Sequence, residues 1–449
     1  MSKQHLVAVI GAGPAGIYGA RKLTEAGHRV LLINRDIKPG GLAEYGIFLD
    51  KEKMKTGLRK QFQRILADAK VSYLGHVTVG EGKSLTLKDF QQIGFSAVVV
   101  SAGAQGTKKL GLPGEDLTGV YHAKDVVYHY NKLPPFSQRH FEIGTRVAVI
   151  GMGNVMVDVA NWLLNYKNIA EVTVVARRGP KEKAYDDSEF EVVEKYLDND
   201  DMRQEIERIR PDLEAAGQDV GEIIQKFVKS TTPPANQKLR FRYLCSPTKV
   251  IARSDGKVAG LEVELNKLIV EKGRTVPKGT GQHTQFPLDC VIYAIGDEVD
   301  ASLGLPFARG AFVTNPAELP GDPPNPAHYQ PYDPVAKQVF EGIYLMGWSR
   351  NASVGLVGIA KKDAEQGIKV VNAYLAAKEG FDSAAVEQKI KVVTDKLTAS
   401  QVSFVTKDDV AVLEAQEREE AKKRNTWEHK YASDDEMLKI IAAAKNAAR

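Results

Sequence analysis

The 449-residue chain is poor in cysteine, with only Cys245 and Cys290, and they form no Cys-x-x-Cys pair. That excludes a thioredoxin-type dithiol, a Cys-ligated iron–sulfur cluster and a zinc ribbon, and no other metal-ligand cluster is read. Two unpatterned cysteines fit a reducing compartment. No apolar run approaches ~18 residues, so no membrane span is expected. The first apolar run begins at Leu6, too early for a charged region, an apolar core and a cleavage site to precede it. A cytoplasmic location is therefore expected. The excess of 61 Lys+Arg over 57 Asp+Glu is +4, too small to argue for nucleic acid. With 43% hydrophobic and 26% charged residues, wholesale disorder and fibrous folds are excluded. At ~150 residues per domain, two large α/β domains fit the length.

What is present is an alternation of apolar runs and helical patterns, made twice. Leu6–Ile10 ends in glycines and is followed by a helical pattern to about Ala26, then by the apolar runs Arg29–Ile33 and Ala97–Val100. The order restarts at Arg146–Ile150, again with glycines, a helix and Val172–Ala176; Val291–Ile295 and Ile343–Met346 come later. Strands alternating with helices predict parallel sheets. Residues 189–229 read as charged helices, and the proline-rich stretch 319–334 reads as an ordered surface loop or interdomain crossing. From Ser383 on the chain is charged and helical, and Leu413–Asn425 reads as a solvated helix face.

The sharpest local signal is Gly11-Ala12-Gly13-Pro14-Ala15-Gly16, directly after the first strand. Gly11 permits the tight turn, Gly13 lets backbone N–H groups approach a pyrophosphate, and Gly16 lets helix and strand pack closely. The helix N-terminus then presents its partial positive charge to the anion. The next strand ends in Asn34-Arg35-Asp36, where an acid for the adenosine ribose is usual. Asn34 can still hydrogen-bond a hydroxyl, and Asp36 can substitute from two residues on; a plain strand-end turn is the alternative.

A second, looser cradle is Gly151-Met152-Gly153-Asn154-Val155-Met156, with methionine at the third glycine position. The following strand ends in Arg177-Arg178-Gly179-Pro180. An NAD site places an acid there, whereas two arginines suit a 2′-phosphate by charge and by paired donors. Two dinucleotide cradles in one chain imply two nucleotide cofactors, most economically FAD at the first and NADPH at the second.

With these motifs in place the chain resembles the adrenodoxin reductase-like ferredoxin–NADP reductases, relatives of the glutamate synthase small subunit. Further segments carry the likeness: Gly40-Gly41-Leu42-Ala43-Glu44-Tyr45-Gly46-Ile47, Leu112–Val120, Phe241–Leu244, Gly347-Trp348 and Gly355-Leu356-Val357, with even the charged region Leu413–Leu438. The resemblance implies an α/β fold of two Rossmann-like domains, with an NADP domain (106–305) inserted in a discontinuous FAD domain (1–105 and 306–449). It implies that Gly11, Gly13, Pro14, Ala15, Gly16, Asn34, Arg35, Gly41, Leu42 and Val79 hold FAD. Trp348, Gly355, Leu356 and Val357 would stand at its flavin end, and Gly153, Asn154, Val155, Arg177 and Arg178 would hold NADP. Glu189 matches a family acid near the nicotinamide.

Three positions depart from the family pattern. The ribose acid is Asn34, the active-site histidine is Lys51, and the Gly-Pro-Thr-Gly turn reads Ala352-Ser353-Val354-Gly355. Lys51 puts a fixed cation where the family has a titrating imidazole, with Glu189 as its expected acidic neighbour. The expected activity is hydride transfer between NADPH and FAD, then single-electron transfer to or from an iron–sulfur protein such as a ferredoxin. Two alternatives stand beside it: an electron-input subunit of a larger enzyme, and a non-catalytic flavin-bound assembly or sensor protein. Ferredoxins are usually acidic, so Arg240 and Arg242, alternating on one strand, are candidates for a basic docking face; ordinary solvated arginines are the alternative.

Overall fold

The apolar runs of four or five residues are buried on both faces, as parallel strands covered by helices must be. In the computed structural model, which describes residues 3–447, the chain divides into two units. The first comprises the chain up to Lys108, Tyr128–Gln138 and the chain from Gly296 on; the second is Lys109–Val127 with Arg139–Ile295.

The first unit is built on a five-stranded sheet in the spatial order Ile343–Leu345, Ala97–Val100, Leu6–Ile10, Arg29–Ile33, Val71–Leu74. Every neighbouring pair is parallel. Alternate residues feed opposite cores. Val7, Val9, Val30, Leu32 and Val99 enter one cluster, and Leu6, Ala8, Leu31, Ile33 and Val98 enter the other. The C-terminal helices belong to these cores. Val386, Val393 and Leu397 pack on one side, and Val410, Leu413, Met437 and Ile441 on the other. The helix Lys407–Lys423 is thus not merely a solvated face: Leu413 and Glu417 on it are buried.

The second unit repeats the plan. Its five parallel strands run Val120–His122, Cys290–Tyr293, Arg146–Ile150, Glu171–Val175, Lys238–Arg242. The strand that opens each glycine cradle is central in its own sheet. Against one face lies a three-stranded antiparallel sheet, Cys245–Ala252, Val258–Glu271 and Arg274–Pro287, whose Val250, Val258, Leu261 and Val263 share a core with Ala148, Ile150, Val175 and Val291. The two 14-residue strands meet at Lys272 (φ 49°) and Gly273 (φ 74°), a two-residue turn with both residues left-handed, which matches the strand twist. Residues 187–227 form four helices, as the charge pattern predicts.

Candidate functional site

In the first unit the turn after Leu6–Ile10 leaves no room for a side chain where the fold closes. A Cβ on Gly11 (φ +105°) would stand 2.4 Å from the Ser101 carbonyl oxygen, and one on Gly16 would stand 1.9 Å from the Gly11 carbonyl oxygen. A Cβ on Gly13, by contrast, would meet nothing within 4 Å. The cradle is therefore closed behind and open at Gly13, where the helix Pro14–Glu25 begins with proline in its first turn and no side-chain cap. Open backbone N–H groups at a helix N-terminus fit the pyrophosphate of FAD. Gly41 backs onto this opening, a Cβ there lying 3.0 Å from Gly13 Cα, and Gly40 N–H donates to the Ala12 carbonyl at 2.7 Å.

Asn34 is buried and its amide is fully engaged. Its Oδ1 accepts from Ala12 N–H at 3.0 Å, while Nδ2 donates to the carbonyls of Asp36 (2.9 Å) and Lys38 (3.0 Å). This ties the glycine turn to the 36–38 loop, a positioning role that an Asp could not perform, lacking the donors. Arg35 is exposed and donates to Asp36 and Gln105. Leu42 opens the short helix Leu42–Tyr45, and Val79 lies buried in one of the two cores.

From the later part of the chain Gly347 (φ +61°) packs against Ala15 of the cradle, the first helix residue after the proline; a Cβ would lie 2.6 Å from Ala15 Cβ. Its N–H donates to Asp363 Oδ2 at 2.6 Å, and Arg350 engages Asp363 Oδ1. Asp363 and Ser101, whose Oγ donates to the Gly11 carbonyl at 2.9 Å, set the shape of this cradle. Neither stands out in the sequence, because each acts through a chain segment far from its own. Trp348 is half-buried with Nε1 donating to the Val354 carbonyl at 3.0 Å. Gly355 has φ +76°, and Leu356 is exposed at the start of the helix Val357–Leu375. Lys51 is half-buried at the N-cap of the helix Glu52–Leu66.

The loop behind Gly41 is fixed by buried charge. Glu44 accepts from Arg59 in two bonds of 2.7 and 2.6 Å and pairs with Lys430 at 3.0 Å and Lys38 at 3.6 Å. Lys38 in turn pairs with Glu417, and Arg59 with Glu428. Burial alone would raise the Glu44 pKa; Lys430, Lys38 and Arg59 outweigh it and hold the carboxyl well below its usual range.

The second unit repeats the closed-and-open pattern. A Cβ on Gly151 (φ +119°) would stand 2.3 Å from the Ala294 carbonyl oxygen, whereas one on Gly153 would meet nothing within 4 Å. Met156 is fully buried where the motif has its third glycine. Asn154 exchanges two hydrogen bonds with Asp186, at 2.9 and 2.8 Å, and Val155 is exposed. Glu189 sits half-buried in the first turn of the helix Asp187–Glu194. Arg177 and Arg178 line a cavity of about 500 Å³ together with Gly273–Pro277 of the long hairpin. Among the described residues no carboxylate pairs with either guanidinium.

Arg240 and Arg242 differ from that pair, and the docking-face expectation is corrected. Arg240 pairs with Glu171 (2.9 Å) and Asp198 (3.2 Å), and Arg242 with Asp201 (2.7 Å). Their charge is spent inside the unit. Cys245 and Cys290 are free and buried; burial pushes the Cys245 thiol up to about 12 and the Cys290 thiol further. Neither is a thiolate at neutral pH.

Residues 5–317 match the family model described as pyridine nucleotide-disulphide oxidoreductase. The chain belongs to this family. Along its full length this oxidoreductase is similar to NADPH-ferredoxin reductase FprA of Mycobacterium tuberculosis (28% identical, 98% of this chain and 99% of the relative). It is also similar to mitochondrial NADPH:adrenodoxin oxidoreductase of Arabidopsis thaliana (26%, 98% and 95%). The solved structure of Mycobacterium tuberculosis FprA in complex with NADPH superposes with a TM-score of 0.81 at 26% identity, covering 98% of this chain and all of the other. Within the family the chain falls with the adrenodoxin reductase-like ferredoxin–NADP reductases, as its motifs imply. The fold of two dinucleotide-binding domains is that of these relatives. The buried, unpaired cysteines set it apart from the disulphide chemistry in the family's name. Among the described residues, no helix is long and apolar enough to cross a membrane, and no group of three or more His, Cys, Asp or Glu is placed to hold a metal.

Proposed function

We propose that the chain is an FAD-dependent NADPH oxidoreductase that exchanges electrons with an iron–sulfur protein. The observation that carries this reading is the pair of cradles, each closed behind and open at its second glycine, with two arginines beside the second that pair with no carboxylate among the described residues. Full-length similarity to proteins named NADPH-ferredoxin and NADPH:adrenodoxin oxidoreductases supports it. FAD, when bound, supplies the exchange between two-electron hydride chemistry and single electrons. The protein's part is to bind and orient. The Gly11–Gly16 turn and Gly41 receive the FAD pyrophosphate, and Trp348, Gly355, Leu356 and Val357 stand at its flavin end. Gly153 and Asn154 open the NADPH cradle, and Arg177 and Arg178 take its 2′-phosphate. The partner is a separate iron–sulfur protein, since the chain has no cysteine set for a cluster of its own, and the reaction takes place in the cytoplasm.

The test is spectroscopic. Purified protein should carry flavin absorption that NADPH bleaches without oxygen, and the reduced protein should then reduce an added ferredoxin. A flavin that NADPH leaves oxidised would favour the non-catalytic flavin-bound reading instead, and a protein that takes up no flavin would overturn both.

Lys51 gives a further expectation. The resemblance puts this position near the flavin, and Lys51 stands at the N-cap of the helix Glu52–Leu66. A unit charge at roughly 8 Å and an effective dielectric near 20 is worth about 2 kcal/mol toward the negative charge that reduction adds. Lys51→Ala should therefore lower the flavin midpoint potential, on the order of tens of millivolts. A redox titration that superposes on wild type would remove the lysine from the electrostatics.

A further inference from the structure

The cavity at Arg177 and Arg178 has a third cation that no strand-end motif supplies. Arg274, the first residue after the two-residue turn of the long hairpin, lines the same cavity, and no acidic side chain lines it. Three arginines thus line one opening of about 500 Å³. None of the three pairs with a carboxylate among the described residues, although most other arginines of this unit do, Arg208, Arg210, Arg240, Arg242 and Arg253 among them. Like charges gathered without a counter-ion repel, and the arrangement is favourable only toward an anion.

The hairpin is held in this place rather than left free. Asn266, buried on its first strand, donates to the Arg177 carbonyl at 3.0 Å. Thr275, next to Arg274, donates from Oγ1 to Glu182 Oε1 at 2.8 Å, and Gln218 donates to the same oxygen at 2.6 Å. The hairpin is therefore fixed to both ends of the segment 177–182, near its tip through Thr275 and farther down through Asn266, and the turn at Lys272-Gly273 leaves Arg274 in register opposite Glu271. A donor held in advance loses less freedom when it binds.

We infer that Arg274 is a third determinant of NADPH specificity, contacting the 2′-phosphate from the hairpin side of the cavity. The inference rests on the reading of this cradle as the NADPH site. It assigns to the antiparallel hairpin, which lies outside the dinucleotide-binding sheet, a share in cofactor selection.

The test is binding of 2′,5′-ADP and of 5′-AMP, which lacks only the 2′-phosphate, to the full-length holoprotein, measured by calorimetry. Arg274→Ala should weaken 2′,5′-ADP about fivefold to tenfold and leave 5′-AMP within twofold, while Arg274→Lys recovers part of the loss. In NADPH kinetics the loss should fall on KM and leave kcat in place. Lys272→Asn removes a charge from the same tip and keeps a residue that tolerates the left-handed turn; it should bind both ligands as wild type does. Unchanged 2′,5′-ADP binding in Arg274→Ala would overturn the inference, as would an equal loss for both ligands or the same loss in Lys272→Asn. If wild type itself does not distinguish 2′,5′-ADP from 5′-AMP, the reading of the cradle as an NADPH site is what fails.

Discussion

In steady-state kinetics the double variant Arg177→Ala plus Arg178→Ala should lose most of its preference for NADPH over NADH. The two arginines follow the Glu171–Val175 strand, where an NAD site has an acid for the 2′-hydroxyl. Both line a cavity and have no carboxylate partner among the described residues, whereas Arg240 and Arg242 one strand away are neutralised by Glu171, Asp198 and Asp201. A charge-assisted hydrogen bond contributes about 1.5–3 kcal/mol, and solvent at this open site reduces that. The pair should still discriminate at least about tenfold. The change should appear as a higher KM for NADPH with kcat and NADH kinetics little altered, because the contact is remote from the hydride. An unchanged NADPH/NADH ratio would show the pair to be ordinary surface.

Most strands of both sheets, though not Val71–Leu74 or Val120–His122, and both cradles are legible in the sequence for a local reason. Five-residue apolar runs ending in glycine encode a buried parallel strand and its turn within a dozen residues, and the Arg pair follows at the end of the next strand. The hairpin 258–287 is not legible in that way. Its second strand, Arg274–Pro287, is largely exposed and polar, with Gly279 and Gly281 interrupting any alternation, so no hydrophobic period marks it. Arg274 consequently has no sequence signal as a site residue. Charge pairing is equally hidden. Arg242 reads as a solvated arginine until Asp201, forty-one positions away, is folded against it at 2.7 Å. Asn34 reads as a weakened ribose contact, but its three hydrogen bonds show an amide required by the loop it closes. In each case the deciding partner lies outside any local window.

The largest stability effect should come from Glu44→Gln, and it should reach the cofactor. Glu44 is the shared anion of Arg59, Lys430 and Lys38, with its side chain only 5% exposed. Glutamine keeps the size and removes the charge, leaving three cations with less compensation in a buried place. Breaking a buried pair from one side costs about 3–5 kcal/mol. Denaturant unfolding of the holoprotein should show a loss of that order. Glu419→Gln, whose pair with Lys422 is 55% and 74% exposed, should leave the unfolding midpoint unchanged, because solvent screens the pair. Because Glu44 lies three residues beyond Gly41, which backs onto Gly13, the variant should also retain less FAD after gel filtration. The pH dependence follows from the same network. Glu44 and Glu428 both have folded pKa values below the ordinary 4.5, so their contribution is complete above about pH 4.5 and fades as the pH falls through the lower folded values. Lys55, fully buried beside Glu428, has its pKa pushed down to about 8 by burial and by Lys430. The unfolded chain then holds more protons between about pH 8 and 10.5, and this residue makes stability rise across that window. In Glu44→Gln the acid limb should flatten, since one of the groups whose protonation drives it is gone. A variant that unfolds within 1 kcal/mol of wild type, with an unchanged acid limb and full FAD, would show that the remaining carboxylates suffice and that Glu44 is not the anchor of the cradle loop.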